Sequence, residues 1–247
     1  MNFDTTLDYN FQKYPWFSPH LVVIATNRLA KLYGSNIENK REFKLAREMF
    51  IGAVALLGAY ELHIDNKYIM QPNLQSASPD VVAVKQTEAP PSPLLLEVTQ
   101  LEIVDMNDYS DVSDVVEFLK KTKLSKKKSY DNKTLIVCVI NKRIQINRLK
   151  ISEELEKVKP KSTIYVLGKI RGDNDKWAIF SPYPDPTKFA IYSVSETMKK
   201  YNIPTPLRLH KGTARKISYE KTHPEVTTIY DIFNLKESDL EKYRRTS

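Results

Sequence analysis

Two short apolar stretches, each interrupted by a single carboxylate, constrain this chain most. They are Ser78-Pro79-Asp80-Val81-Val82-Ala83-Val84 and, beyond a proline-rich connection, Leu94-Leu95-Leu96-Glu97-Val98-Thr99-Gln100. Runs of Val and Leu of this length read as buried strands. A carboxylate in such a strand costs several kcal/mol unless a partner compensates it. Two acids on neighbouring strands raise that cost, because like charges at short range do not both stay ionised unless a cation lies between them. A divalent metal supplies that cation. The same residues also admit a plain structural role, in which Asp80 caps a loop and Glu97 reaches a lysine or arginine across the sheet.

Pro79-Asp80 at the head of one strand, followed by Glu97-Val98-Thr99 in the next, resembles the PD-(D/E)xK nuclease superfamily over roughly residues 40 to 170. The resemblance implies a restriction-endonuclease-like α/β fold, a mixed β-sheet flanked by helices on both faces, and metal-dependent cutting of DNA. It further implies Mg²⁺ or Mn²⁺ held by Asp80, Glu97 and the backbone carbonyl of Val98. Family members usually carry a lysine two places after the Glu, where it holds or activates the attacking water; this chain has Thr99, so metal binding is better supported than cleavage. The family also places an acid on a long helix ahead of a Gly-x-Tyr-like exit. Glu48, ahead of Gly58-Ala59-Tyr60, is the closest match and completes the expected set Asp80, Glu97, Thr99 and Glu48. Glu42 and Glu61 are alternatives, and Glu48 may equally pair with Lys44, four residues away on the same helix.

The remaining composition sets outer limits. At 247 residues the chain is long enough to bury a substantial core, and 41% hydrophobic with 28% charged residues is ordinary for a folded protein. A formal net charge of +8 favours a polyanionic partner, expected to be DNA, with a second copy of the chain also admitted as a partner. The single cysteine, Cys138, lies in the apolar run Leu135 to Ile140 and reads as a small core residue in a reducing compartment. Met1-Asn2-Phe3-Asp4 lacks the features of a secretory signal, and the longest uncharged run, Met49 to Tyr60, has 12 residues. That is well short of the ~20 needed to span a bilayer. A soluble cytoplasmic protein is expected.

The chain divides into an N-terminal helical extension (1–38), a nuclease-like core (39–170) and a basic, proline-containing C-terminal extension packed on the core (171–247). Ser18-Pro19 predicts a helix start and Gly34 its end. A longer helix is predicted from Asn36 to Tyr60, then short strands Tyr60 to Ile64 and Lys67 to Met70 about an Asp65-Asn66 turn. Further on come a helix from Val115 to about Lys123, capped by Asp111 or Ser113, strand Thr134 to Ile140, helix Asn147 to Lys157 and strand Thr163 to Gly168. Trp177 to Phe180 predicts an edge strand, and Leu235 to Arg245 a final helix. Lys120, Lys121, Lys123, Lys126, Lys127 and Lys128 form a basic run expected to contact phosphates, with a solvated face as the alternative.

Other chemistries lack their residues. The six glycines form no phosphate-cradling cluster, His20, His63, His210 and His223 have no metal-ligand spacing, and no Gly-x-Ser-x-Gly elbow occurs.

Overall fold

The structure, a computed structural model, describes residues 16–63, 67–72, 80–86, 96–105, 112–124, 134–140, 147–201, 207–211, 217–221 and 229–244. For 84–86, 96–105, 112–115, 122, 207–211 and 217–221 it describes the backbone alone. The predicted aromatic contacts of Tyr9, Phe11 and Tyr14 lie outside these residues, whereas Trp16 and Phe17 are buried.

Helix α1 (Pro19–Tyr33) begins as the sequence predicts: the Ser18 hydroxyl accepts from the Leu21 amide, Pro19 occupies the first turn, and Gly34 at φ 60° closes it. The long helix predicted from Asn36 starts later. A short turn α2 (Asn36–Asn39) and a 3₁₀ turn (Arg41–Phe43) precede α3 (Lys44–Leu62). Lys40 is extended, and the Arg47 guanidinium donates to the carbonyls of Ile37 and Lys40 at 2.6 and 2.8 Å, which fastens this break to the helix. At the other end α3 runs through Tyr60 to Leu62, where a strand was predicted. Tyr60 is held in the helix by packing edge-on against Tyr201, 5.2 Å between centroids.

Strands β1 (Lys67–Pro72), β2 (Val81–Gln86), β3 (Leu96–Asp105), β4 (Thr134–Ile140), β5 (Thr163–Lys169), β6 (Lys176–Tyr183) and β7 (Phe189–Ser193) lie in sequence order in one seven-stranded sheet. β3, β4 and β5 are parallel; the other neighbouring pairs are antiparallel. Two further strands, β8 (Leu207–Lys211) and β9 (Ile217–Lys221), pair as a separate antiparallel sheet. The fold is therefore α/β with a mixed sheet. β6 and β7 carry the sheet past residue 170, where the sequence places the edge of the core, and β7 rather than β6 is the outer strand.

All seven residues of β4 are buried, as expected of a central parallel strand. Its alternation divides the core in two: Leu135, Val137 and Val139 pack with α1 and α3, and Ile136, Cys138 and Ile140 pack with α4 (Val112–Thr122) and α5 (Arg148–Val158). Cys138 is the core residue the sequence predicts, its thiol pushed up to about 12 by burial. Asn147 caps α5 by accepting from the Lys150 amide. Helix α4 starts at Val112, so Ser113 lies inside it rather than at its cap.

Helix α6 (Val194–Lys200) is docked on the end of α3. Thr197 donates to Glu61 at 2.6 Å, Lys200 lies 3.3 Å from the same carboxylate, and the buried Tyr201 donates to the Tyr68 carbonyl. The predicted C-terminal helix is broken into α7 (Ile229–Ile232), α8 (Glu237–Leu240) and a 3₁₀ turn (Glu241–Tyr243) that clasp the α1–α3 layer. Tyr33 and Tyr230 hydroxyls meet at 3.0 Å, and Tyr243 donates to Glu42 at 2.6 Å.

The close approach of α3 to the sheet turns on Gly58. A methyl group there would meet Ile179 Cδ1 and the ring and hydroxyl of Tyr192 at 2.9 Å, and the same hydroxyl donates to the Val54 carbonyl at 2.6 Å. Alanine gains about 1 kcal/mol of helix propensity over glycine, but overpacking a fixed aromatic ring costs ~1–3 kcal/mol. Gly58→Ala is expected to lower the urea midpoint; a raised midpoint would show that the helix can draw back from the sheet.

Candidate metal centre

Glu48 lies one turn into α3, on its half-exposed stripe with Lys44 and Ile51. Its carboxylate sits 3.3 Å from the Lys44 ammonium, and its side chain is 18% exposed against 66% for the lysine, so the pair shields the acid from water on one side only. Burial holds the Glu48 carboxyl above its ordinary value of 4.5, and the negative charge of Asp80 pushes it further up, against the opposing pull of Lys44 and Arg47. The charge of Asp80 is thus felt at Glu48, although 32 positions separate them in the chain (80 − 48). The helix supplies one acid and the residue just before β2 supplies the other.

The alternatives to Glu48 are occupied elsewhere. Glu42 accepts from Tyr243 and lies 3.5 Å from Lys242, and Glu61 serves the α3–α6 contact.

The register of β2 and β3 sets where the second strand's residues fall. Val81 pairs with Leu101, Ala83 with Thr99, Val84 with Val98 and Lys85 with Glu97. Glu97 therefore stands five positions along the ladder from Asp80, about 16 Å at ~3.3 Å per residue. The register does not bring Glu97 beside Asp80, and Thr99 stands three positions along from Asp80. The acid that continues the ladder is Glu102: it directly follows Leu101, as Asp80 directly precedes Val81. β2 begins at Val81, so from Glu102 to Asp105 β3 is paired only with β4 among the described residues. Alternation along β3 places Glu102 on the opposite face from Glu97 and Thr99, and its register position is beside Ile136, a residue of the α4–α5 layer.

The described part of the basic run falls on the other face of the sheet. Lys120 belongs to α4, which covers the opposite face of the sheet from α3, and it is engaged by Glu117 at 3.4 Å and Glu154 at 3.9 Å. Lys121 is exposed on the same helix, Lys123 lies just past its end, and Lys126, Lys127 and Lys128 lie outside the described residues.

An oxygen-only pair of this kind suits a hard divalent ion such as Mg²⁺ or Mn²⁺. Among the described residues no group of three His, Cys, Asp or Glu side chains comes together, so the structure supplies two carboxylates. No helix among them is long and apolar enough to cross a membrane. Comparison with models of known protein families, with curated proteins and with solved structures finds no match to this chain.

The raised Glu48 carboxyl makes a test of the pair. A carboxyl with a raised folded-state pKa contributes stability below its unfolded value and loses it as the pH rises through the folded value. The loss therefore sets in above 4.5. Glu48→Gln is expected to stabilise the protein in urea at about pH 7 and to change little at about pH 4. Equal effects at the two pH values would remove the charge conflict.

Proposed function

We propose that this protein is a metal-dependent phosphodiesterase acting on DNA, with a site of the PD-(D/E)xK kind built on Glu48 and Asp80. The observation that carries the reading is that the charge of Asp80, at the head of β2, reaches the half-buried Glu48 of the long helix and opposes its ionisation. The order of elements supports it: long helix, antiparallel β1–β2–β3, then a helix and a strand parallel to β3, with helices on both faces. A restriction-endonuclease-like core is the finer description we propose for this α/β fold.

In this reading Asp80 and Glu48 hold the ion; the register leaves Glu97 and Val98, expected from the sequence to join them, five and four positions along the ladder from Asp80, and sets Glu102 beside Ile136 of the α4–α5 layer. A bound Mg²⁺ or Mn²⁺ would supply a lowered water pKa and neutralise charge on the scissile phosphate. Lys44, already against Glu48, places the one described ammonium beside the pair. Position 99 offers a threonine, which cannot stand in for a charged donor.

Thr99, together with the register of Glu97, favours a second reading: a nuclease-like module that binds nucleic acid without cutting it. Nicking of supercoiled plasmid in Mn²⁺ separates the two. We expect weak nicking, reduced at least ~100-fold in Glu48→Gln and Asp80→Asn. Thr99→Lys raises the rate if position 99 reaches the site. A parent chain inert in both Mg²⁺ and Mn²⁺, with Thr99→Lys equally inert, would leave the binding module in place of the enzyme.

A further inference from the structure

The α1–α3 end of the helical layer carries cations that folding does not require. Tyr33, the last residue of α1, packs against Phe43 at 5.2 Å between ring centroids, so the end of α1 and the start of α3 lie side by side. Within about two helical turns of that contact, Arg28 and Lys31 on α1, Lys40 and Arg41 in the connection, and Lys44 on α3 are all exposed. Lys31 has a structural reason to be there, since a cation suits a helix C-terminus.

Lys40, Arg41 and Lys44 have the opposite placement. They cluster at the start of a 19-residue helix that has no acidic residue in its first turn, where positive charge opposes the helix dipole. The nearby carboxylates are fewer than the cations: Glu38 is exposed beside them, Glu42 is engaged by Tyr243 and Lys242, and the half-buried Glu48 is paired with Lys44, while Lys40 lies over the Tyr243 ring at 5.7 Å. The patch ends at the Glu48–Asp80 pair, because Lys44 is itself the partner of Glu48.

The patch lacks apolar anchors. Among the described residues the exposed large hydrophobic side chains are Leu149, Phe189 and Ile191, on α5 and β7. A membrane surface or a protein partner would draw on such groups; a phosphate backbone needs only cations. We propose that Arg28, Lys31, Lys40, Arg41 and Lys44 form the surface that holds the phosphate backbone of nucleic acid beside the acid pair. The surface rests on the nuclease-like reading for its ligand, and it places the contact on the α3 face of the sheet, away from Lys120 and Lys121.

The test is binding of a fluorescein-labelled, random-sequence DNA duplex in EDTA over a range of KCl, which needs neither metal nor cleavage. Arg28→Gln/Lys31→Gln/Lys40→Gln/Arg41→Gln leaves Lys44 and the acids untouched. It is expected to flatten the salt slope by up to ~0.9 per lost contact and to weaken binding at least ~10-fold at low salt. Lys120→Gln/Lys121→Gln should leave the slope unchanged, and circular dichroism checks that both variants fold. The proposal is overturned if the quadruple variant keeps the parent's slope, if the parent does not bind the duplex, or if poly-L-glutamate of matched charge binds as tightly as DNA. Loss of nicking with an intact salt slope would sink the phosphodiesterase reading and leave this surface standing.

Discussion

The complete burial of β4 is the constraint on which the rest depends. A strand whose seven residues are all inside must be covered on both faces and flanked by strands on both sides. Leu135, Val137 and Val139 demand the α1–α3 layer; Ile136, Cys138 and Ile140 demand α4 and α5. Once α3 is pressed onto the sheet, close enough that Gly58 meets Tyr192, its N-terminal half is held where Glu48 approaches the head of β2. The acid pair is thus a product of core packing, reached by elements that have no local reason to meet.

The two faces divide the charges. On the α4–α5 face the lysine at 120 is balanced by Glu117 and Glu154 from its own and the neighbouring helix, the pattern of a solvated surface. On the α3 face the cations outnumber the carboxylates available to them, and the acids present are either engaged by the C-terminal turns or drawn inward. Positive charge in excess beside a partly exposed acid pair is the arrangement a polyanion and a divalent ion can satisfy together.

The parts of the fold that could be read from the residues are those with local causes. Ser18-Pro19 and Gly34 bound α1 through cap chemistry, Asn147 caps α5, and the Leu135–Ile140 run is uniformly apolar because it is uniformly buried. The readings that failed depend on distant contacts. The start of α3 is moved to Lys44 by the bonds of Arg47 to Ile37 and Lys40, its end is extended through Tyr60 by Tyr201, and β6 and β7 are recruited to the sheet by pairing with β5. At the candidate site the register of β3 against β2 could not be read from the residues, since a one-residue change in register transfers a side chain to the other face and the connection before Leu96 carries no turn signal that fixes it.

The central claim is that Glu48 and Asp80 share a divalent ion. Crystals soaked in Mn²⁺ and measured for anomalous scattering test it directly. The account predicts a peak 2.0–2.6 Å from oxygens of both carboxylates. A peak confined to Glu97, or none at either acid at saturating Mn²⁺, would contradict it.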